Sequence, residues 1–243
     1  MKVAGIIPAR YGSTRLPGKP LRDILGHPMI WWVYNRVCGV EKLDEILVAT
    51  DDERIEAVCR ENHIPVMMTS DRHQTGASRL QEVSEHIKAD FYLQINGDEP
   101  MLDIRAVAAA IPKEVAQDVE FGTNIITEIT NPAQLMDTSN IKIVFDENMN
   151  ALYMSRNPIP FPSKAIDFQY YKHVGIIGYN KKMLDFYKNT EPGRFERIEG
   201  IDTLRFLDYG KQLKLSLVSG CESISVDTRK DLDIIIKMIE GEK

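Results

Sequence analysis

A chain of 243 residues, 43% apolar and 27% charged, can bury one full core, and no low-complexity tract interrupts it. Its net charge of −6 argues against a general nucleic-acid binder, and charges or Gly/Pro break every apolar run before it reaches membrane-span length. Cys38, Cys59 and Cys221 are isolated and odd in number, so they make no disulfide framework and read as free thiols of a reducing compartment.

The pattern alternates strand and helix. Lys2–Ala9 is a strand-like apolar run that passes directly into Arg10. It lacks the apolar core of a signal peptide and predicts a first buried strand in a cytoplasmic protein. A Gly/Pro-punctuated loop follows, Arg10–Pro20. Helical spacing covers Met29–Val40, and Glu45–Ala49 is a second strand. Asp51 or Asp52 caps a helix running through Glu61. Ile64–Thr69 is a third strand, Ser78–Ile87 a helix, and Phe91–Asn96 a fourth strand ending in Gly97-Asp98-Glu99-Pro100. Strands separated by helices imply right-handed βαβ units, hence an α/β fold with a mostly parallel central sheet flanked by helices.

The second half is more mixed. Phe121–Ile129, Ile141–Phe145, Ala151–Ser155, Tyr171–Tyr179 and Leu213–Val218 read as strands, and Pro158, Pro160 and Pro162 mark an extended stretch. Ile201–Tyr209 reads as a helix stopped by Gly210. Thr228 caps the last helix, with Asp231 three residues on. The expectation is a single domain carrying an insertion near 150–190.

Charge is unevenly placed. Lys2, Arg10, Arg15, Lys19 and Arg22 precede the first acidic residue, Asp23, which fits a small anionic ligand in an otherwise acidic protein. Gly12 and Gly18 permit close backbone approach to an anion, and Arg10, Arg15 and Lys19 can surround a triphosphate. The loop is neither a Walker P-loop nor a GxGxxG turn. Ligands of open α/β sheets sit beyond the carboxyl ends of the strands, where this basic loop and the acidic Gly97-Asp98-Glu99 turn both fall.

The run Ile7-Pro8-Ala9-Arg10-Tyr11-Gly12-Ser13-Thr14-Arg15-Leu16-Pro17-Gly18-Lys19-Pro20-Leu21 closely resembles the N-terminal signature of the 3-deoxy-manno-octulosonate (Kdo) cytidylyltransferases. The likeness extends through Val48-Ala49-Thr50-Asp51-Asp52, His73-Gln74-Thr75-Gly76-Ala77-Ser78-Arg79, Gln94–Pro100, and Ser225-Val226-Asp227-Thr228. It implies a Rossmann-like nucleotidyltransferase fold with a dimerisation insertion, and a homodimer. It also implies CMP transfer from CTP to a 3-deoxy-2-ulosonic acid, for surface polysaccharide synthesis. Implied nucleotide contacts are Ala9, Arg10, Gly12, Ser13, Arg15, Lys19, Gln74, Gly76 and Arg79, with Arg10, Lys19 and Asp98 catalytic. Asp98 and Asp227 are the implied magnesium ligands. Arg156, His173 and Tyr179 are implied at the acid sugar, with Asp202 beside them.

Departures occur at two places. Ala77 and Ser78 stand where the family usually has threonine and glutamate. Gly200-Ile201-Asp202-Thr203-Leu204-Arg205 replaces a Leu-Glu-Gln-Leu-Arg helix, which leaves room for an amino-substituted Kdo or another ulosonate. The resemblance implies in-line attack of the sugar's 2-hydroxyl on the α-phosphorus, with no side chain standing out as a general base. Competing expectations are a nucleotidyltransferase for a sugar 1-phosphate and a non-catalytic nucleotide-binding relative.

Overall fold

The structure is a computed structural model that describes residues 1–12, 15–165, 167–221 and 224–241. In chain order the first half carries β1 (Val3–Ala9), β2 (Asp23–Ile24), β3 (His27–Pro28), α1 (Met29–Cys38), β4 (Glu45–Thr50), α2 (Glu53–Glu61), β5 (Val66–Met68), α3 (Gly76–His86), β6 (Phe91–Ile95) and α4 (Ile104–Ala110). The second half carries β7 (Gly122–Glu128), α5 (Pro132–Met136), β8 (Lys142–Phe145), β9 (Ala151–Ser155), β10 (Tyr171–Tyr179), α6 (Lys181–Lys188), α7 (Arg194–Glu199), α8 (Leu204–Asp208), β11 (Leu213–Leu217) and α9 (Arg229–Gly241). A short 3-10 turn, Lys19–Leu21, closes the basic loop.

The main sheet has the order β11-β7-β10-β6-β1-β4-β5. The run β6-β1-β4-β5 is parallel, as is β11 with β7, while β10 lies antiparallel to both its neighbours, β6 and β7. The hairpin β8–β9 attaches to β10. Within the expected 150–190 insertion, Tyr171–Tyr179 is therefore a central strand of the sheet, and α6 packs on that sheet as well.

Alternation along β1 shows why the sheet is buried on both faces. Val3, Ile7 and Ala9 join a core with α1, α2 and α4, whereas Ala4 and Ile6 join the opposite core with α3, α6 and α8. A period of two sends successive side chains to opposite faces. A third cluster docks Leu232, Ile235 and Ile239 of α9 onto Leu16, Ile24 and Met29. That contact carries the start of α9, and Asp227 just before it, to the rim of the basic loop.

Local signals account for the boundaries. Asp52 accepts from the Arg54 amide and caps α2. Thr228 and Asp231 form a reciprocal cap at α9, with the Asp231 carboxylate accepting from the amides of Asp227 and Thr228. The helix expected over 201–209 is shorter, Leu204–Asp208. The Leu204 and Arg205 amides donate to the carbonyls three residues back, so 201–203 is a tight turn between Gly200, at φ 64°, and α8. Helices α4, α5, α6 and α7 were not expected from the sequence. No described helix is long and apolar enough to cross a membrane.

Candidate active site

The carboxyl ends of β1 and β6 and the first half of β10 open onto one cleft with three joined compartments. Gly97 sits against β1: a Cβ there would lie 3.1 Å from the Pro8 carbonyl oxygen, so a side chain would press the acidic turn a few tenths of an ångström off the strand.

The central compartment, about 810 Å³, is lined by Arg10, Gly12, Arg15, Lys19, Asp98 and Asp227. The Lys19 ammonium lies between two carboxylates, donating to Asp98 Oδ2 at 2.7 Å and to Asp227 Oδ1 at 3.1 Å. Arg15 also meets Asp227 Oδ1 at 3.1 Å. Burial pulls the Lys19 pKa down, but the charge and hydrogen bond of Asp98, and then those of Asp227, more than offset this, and the net shift is upward. The Val226 amide donates to the Asp98 carbonyl at 2.8 Å, which ties the two acidic segments together. Asp98 Oδ1 is buried and has no hydrogen-bond partner among the described residues. Gly18, at φ 65°, lets the loop close: its amide donates to Tyr11 O at 3.1 Å, and the Tyr11 ring fills the space beside it. Arg54 stacks over that ring at 3.3 Å. Ser13 lies outside the described residues.

The second compartment, about 170 Å³, is lined by Ala9, Arg10, Gln74, Thr75, Gly76, Arg79 and Gln94 among others. Gly76 begins α3. A Cβ there would lie 2.6 Å from the Gln94 amide carbon, so glycine permits the contact of turn and strand. Arg79 is buried, donating to Asp51 at 3.0 Å and to the Thr69 hydroxyl. Ala77 is buried in the core, and Ser78 completes the α3 cap. Neither lines the compartment, so both departures from the family pattern are structural.

The third compartment, about 590 Å³, is lined by Glu99, Asp137, Ser139, Lys172, His173, Asp227 and neighbours. Asn124 Nδ2 donates to the carbonyls of Val174 and Ile176, which turns its Oδ1 toward His173 Nδ1 at 2.7 Å. His173 Nδ1 must therefore carry the proton, and Nε2 is left as an acceptor on a ring that faces the cleft. Burial lowers the His173 pKa to about 4, so the imidazole is neutral at pH 7.

Two sugar-site expectations change. Tyr179 is fully buried, facing Phe206 and Tyr187 in the core. It pairs with Tyr92 near the start of β6, and six residues of strand put it about 20 Å from His173. The antiparallel run of β10 carries it away from the cleft. Asp202 does not line the cleft either. It lies near Tyr179 and Tyr187, and burial, then Glu196, raises its pKa. Thr203 is buried against the Met154 sulfur. Arg156 lines the central compartment, where three of its five N–H donors anchor it to the carbonyls of Glu199, Thr138 and Gly200 and each terminal nitrogen keeps one more. Sequence reasoning left out Asn96, Gln94, Thr75, Glu99 and Lys172. Asn96 and Glu99 flank Asp98 in the acidic turn and were findable by adjacency. The loop 137–141 carried no signal, since Lys142 Nζ fixes it through the Asp137 and Asn140 carbonyls.

Comparison with known proteins agrees with this geometry. The chain matches the family profile described as cytidylyltransferase over residues 4–217. It is 38% identical over 242 residues to a 3-deoxy-manno-octulosonate cytidylyltransferase of Fusobacterium nucleatum, covering 99% of this chain and 98% of that one. It is 38% identical over 236 residues to an 8-amino-3,8-dideoxy-manno-octulosonate cytidylyltransferase of Shewanella baltica, covering 96% of each. Among solved structures, a CMP:2-keto-3-deoxy-manno-octonic acid synthetase complexed with CTP superposes with a TM-score of 0.90 at 34% identity, covering 100% of both chains. The resemblance carried by the basic loop thus holds along nearly the whole chain, which belongs to the cytidylyltransferase family.

Proposed function

We propose that this enzyme transfers CMP from CTP to the anomeric 2-hydroxyl of Kdo or a close variant, releasing pyrophosphate. The observation that carries the reading is the placement of Lys19 between Asp98 and Asp227, at the junction of a glycine-floored compartment and a polar one. The first suits a flat base. The second suits an acid sugar.

The base lies against Gln74, Gly76 and Arg79, and the phosphates lie along Ala9, Arg10, Gly12, Arg15 and Lys19. The hydroxyl oxygen bonds to the α-phosphorus, the bond from that phosphorus to the bridging oxygen breaks, pyrophosphate leaves with that oxygen, and the hydroxyl proton passes to water. Arg10, Arg15 and Lys19 hold the departing charge, and His173 Nε2 accepts from a sugar hydroxyl. Catalysis here is positioning and charge stabilisation.

Magnesium fits the pair Asp98 and Asp227. Asp98 Oδ1 is a buried acceptor lacking a donor, and a cation already bridges the two carboxylates in the form of Lys19. A pair of carboxylates is enough for an ion that proteins usually hold by one or two carboxylates together with substrate phosphates. When bound, it would supply positive charge at the triphosphate.

A homodimer belongs to the same reading. Leu152 on β9, Phe161, Phe195 and Ile198 are exposed large apolar side chains, and β9 pairs with β8 alone among the described strands. The unpaired cysteines fit a cytoplasmic setting.

The test is a pyrophosphate-release panel with CTP and Mg²⁺ against Kdo, 8-amino-Kdo, a sialic acid and a sugar 1-phosphate. Turnover is expected with one or both octulosonates. Turnover with the sugar phosphate alone would contradict the reading.

A further inference from the structure

The floor of the small compartment is the first turn of α3, and that turn is held from behind. Thr75 is the N-cap of α3. Its Oγ1 accepts from the Ser78 amide at 3.2 Å, and Ser78 Oγ donates back to Thr75 O at 2.9 Å. Glutamate or glutamine usually closes such a box from the third helical position. Serine is shorter, and its oxygen lies 3.4 Å from the Thr75 amide, at the limit of a hydrogen bond. A further contact compensates. The Tyr187 hydroxyl on α6 lies 3.0 Å from Thr75 Oγ1. With the Thr75 hydroxyl turned to Ser78 Oγ at 3.1 Å, Tyr187 is left as the donor.

Tyr187 is itself clamped. It is 2% exposed, and the Arg205 guanidinium lies 3.7 Å above its ring. Arg205 donates to the Tyr187 carbonyl at 3.1 Å and forks onto both Glu196 carboxylate oxygens, each at 2.7 Å. A planar fork with a stacked aromatic face leaves the ring little freedom. Glu196, Arg205 and Tyr187 thus form a continuous buried brace ending on Thr75, beside Gly76 and Gln94 in the compartment wall.

We propose that Tyr187, fixed by Arg205, is a positioning residue for the nucleobase: its hydroxyl sets Thr75, and through it the Gly76 turn on which the base rests. This rests on assigning that compartment to the base of CTP. The brace touches neither the carboxylates nor the sugar compartment, so it acts on nucleotide affinity and leaves the rate at saturation alone.

The experiment uses the full chain and measures CTP affinity by calorimetry, together with kcat and KM for both substrates. Tyr187→Phe keeps the ring and the stack and removes one hydroxyl. It raises the Kd and KM for CTP by a few-fold to about tenfold, the range for one net hydrogen bond, with kcat and the sugar KM within about twofold. In a Thr75→Val background the same change adds nothing, because its partner is gone. Gly76→Ala, which thrusts a methyl at Gln94, weakens CTP binding independently. Unchanged CTP affinity in Tyr187→Phe, equal effects on both substrates, or additivity with Thr75→Val overturns the brace while Gly76→Ala still responds. Unchanged affinity in Gly76→Ala as well removes the base assignment itself.

Discussion

Replacing Lys19 with methionine keeps the stem and deletes the cation between Asp98 and Asp227. At 2.7 and 3.1 Å, and with an effective dielectric constant near 20, the two direct attractions are each about 5–6 kcal/mol before desolvation. Lys19 is 14% exposed, so desolvation of the ammonium takes back much of this, yet the balance still favours the charged amine. Breaking a buried pair typically costs about 3–5 kcal/mol because the partner's charge is stranded. Arg15 still compensates Asp227, so the lower end, about 3 kcal/mol, is expected here. Turnover should fall by about 10²–10³, the usual result of removing one electrostatic contact to a transition state. The variant also vacates the place a divalent ion would take. Urea melts with and without MgCl₂ should therefore show a larger stabilisation by Mg²⁺ in Lys19→Met than in the wild type, where the ion competes with the ammonium. Wild-type turnover, or an equal Mg²⁺ response in both proteins, would refute this reasoning.

Other outcomes follow from the same geometry. Asp98→Asn should lose turnover by a similar factor of about 10²–10³ while CTP still binds by calorimetry; near-normal turnover would remove Asp98 from the site. Gly175→Ala would place a methyl 2.1 Å from Asn96 Nδ2 and 2.9 Å from Glu99 Oε1, so the sugar KM should rise more than the CTP KM, and the reverse order would count against the polar compartment as the sugar site. His173 has a folded pKa of about 4, below its ordinary value near 6.5, so the unfolded chain takes up the proton first and stability falls as pH drops through that window, by roughly 3 kcal/mol in all. His173→Gln should flatten this acid limb in denaturant melts; parallel pH curves would show that His173 is not the group responsible. Asp202→Asn, outside the cleft, should change the sugar KM by less than about threefold, within the small effect usual away from a site; a large rise would return Asp202 to the sugar.

The parallel half of the fold was legible because β1, β4 and β6 are short apolar runs bounded by turn residues, with Asp52 capping the helix after β4. The basic loop and the Gly97-Asp98-Glu99 turn were legible for the same reason, as each follows a strand directly. What the sequence hid was direction. Tyr171–Tyr179 reads as a strand in either orientation, but only the antiparallel one keeps His173 at the cleft and takes Tyr179 to the far end. Nothing in the neighbours of Arg156 reveals that three backbone carbonyls hold its guanidinium in place at the cleft. Asp227 was placed by resemblance. Its arrival beside Lys19 depends on α9 packing against Leu16, Ile24 and Met29, a contact between segments some two hundred residues apart. The base pocket's rear support was invisible for a similar reason, since Thr75 and Tyr187 meet only once α3 and α6 share a core.

Whether the carboxylates face the nucleotide's phosphates is read most directly from Mn²⁺-induced relaxation of the CTP phosphorus resonances in the presence of enzyme. Wild-type protein should give a strong enzyme-dependent enhancement at the α-phosphorus, collapsing in both Asp98→Asn and Asp227→Asn. The same enhancement in all three proteins would put the ion somewhere other than between these aspartates.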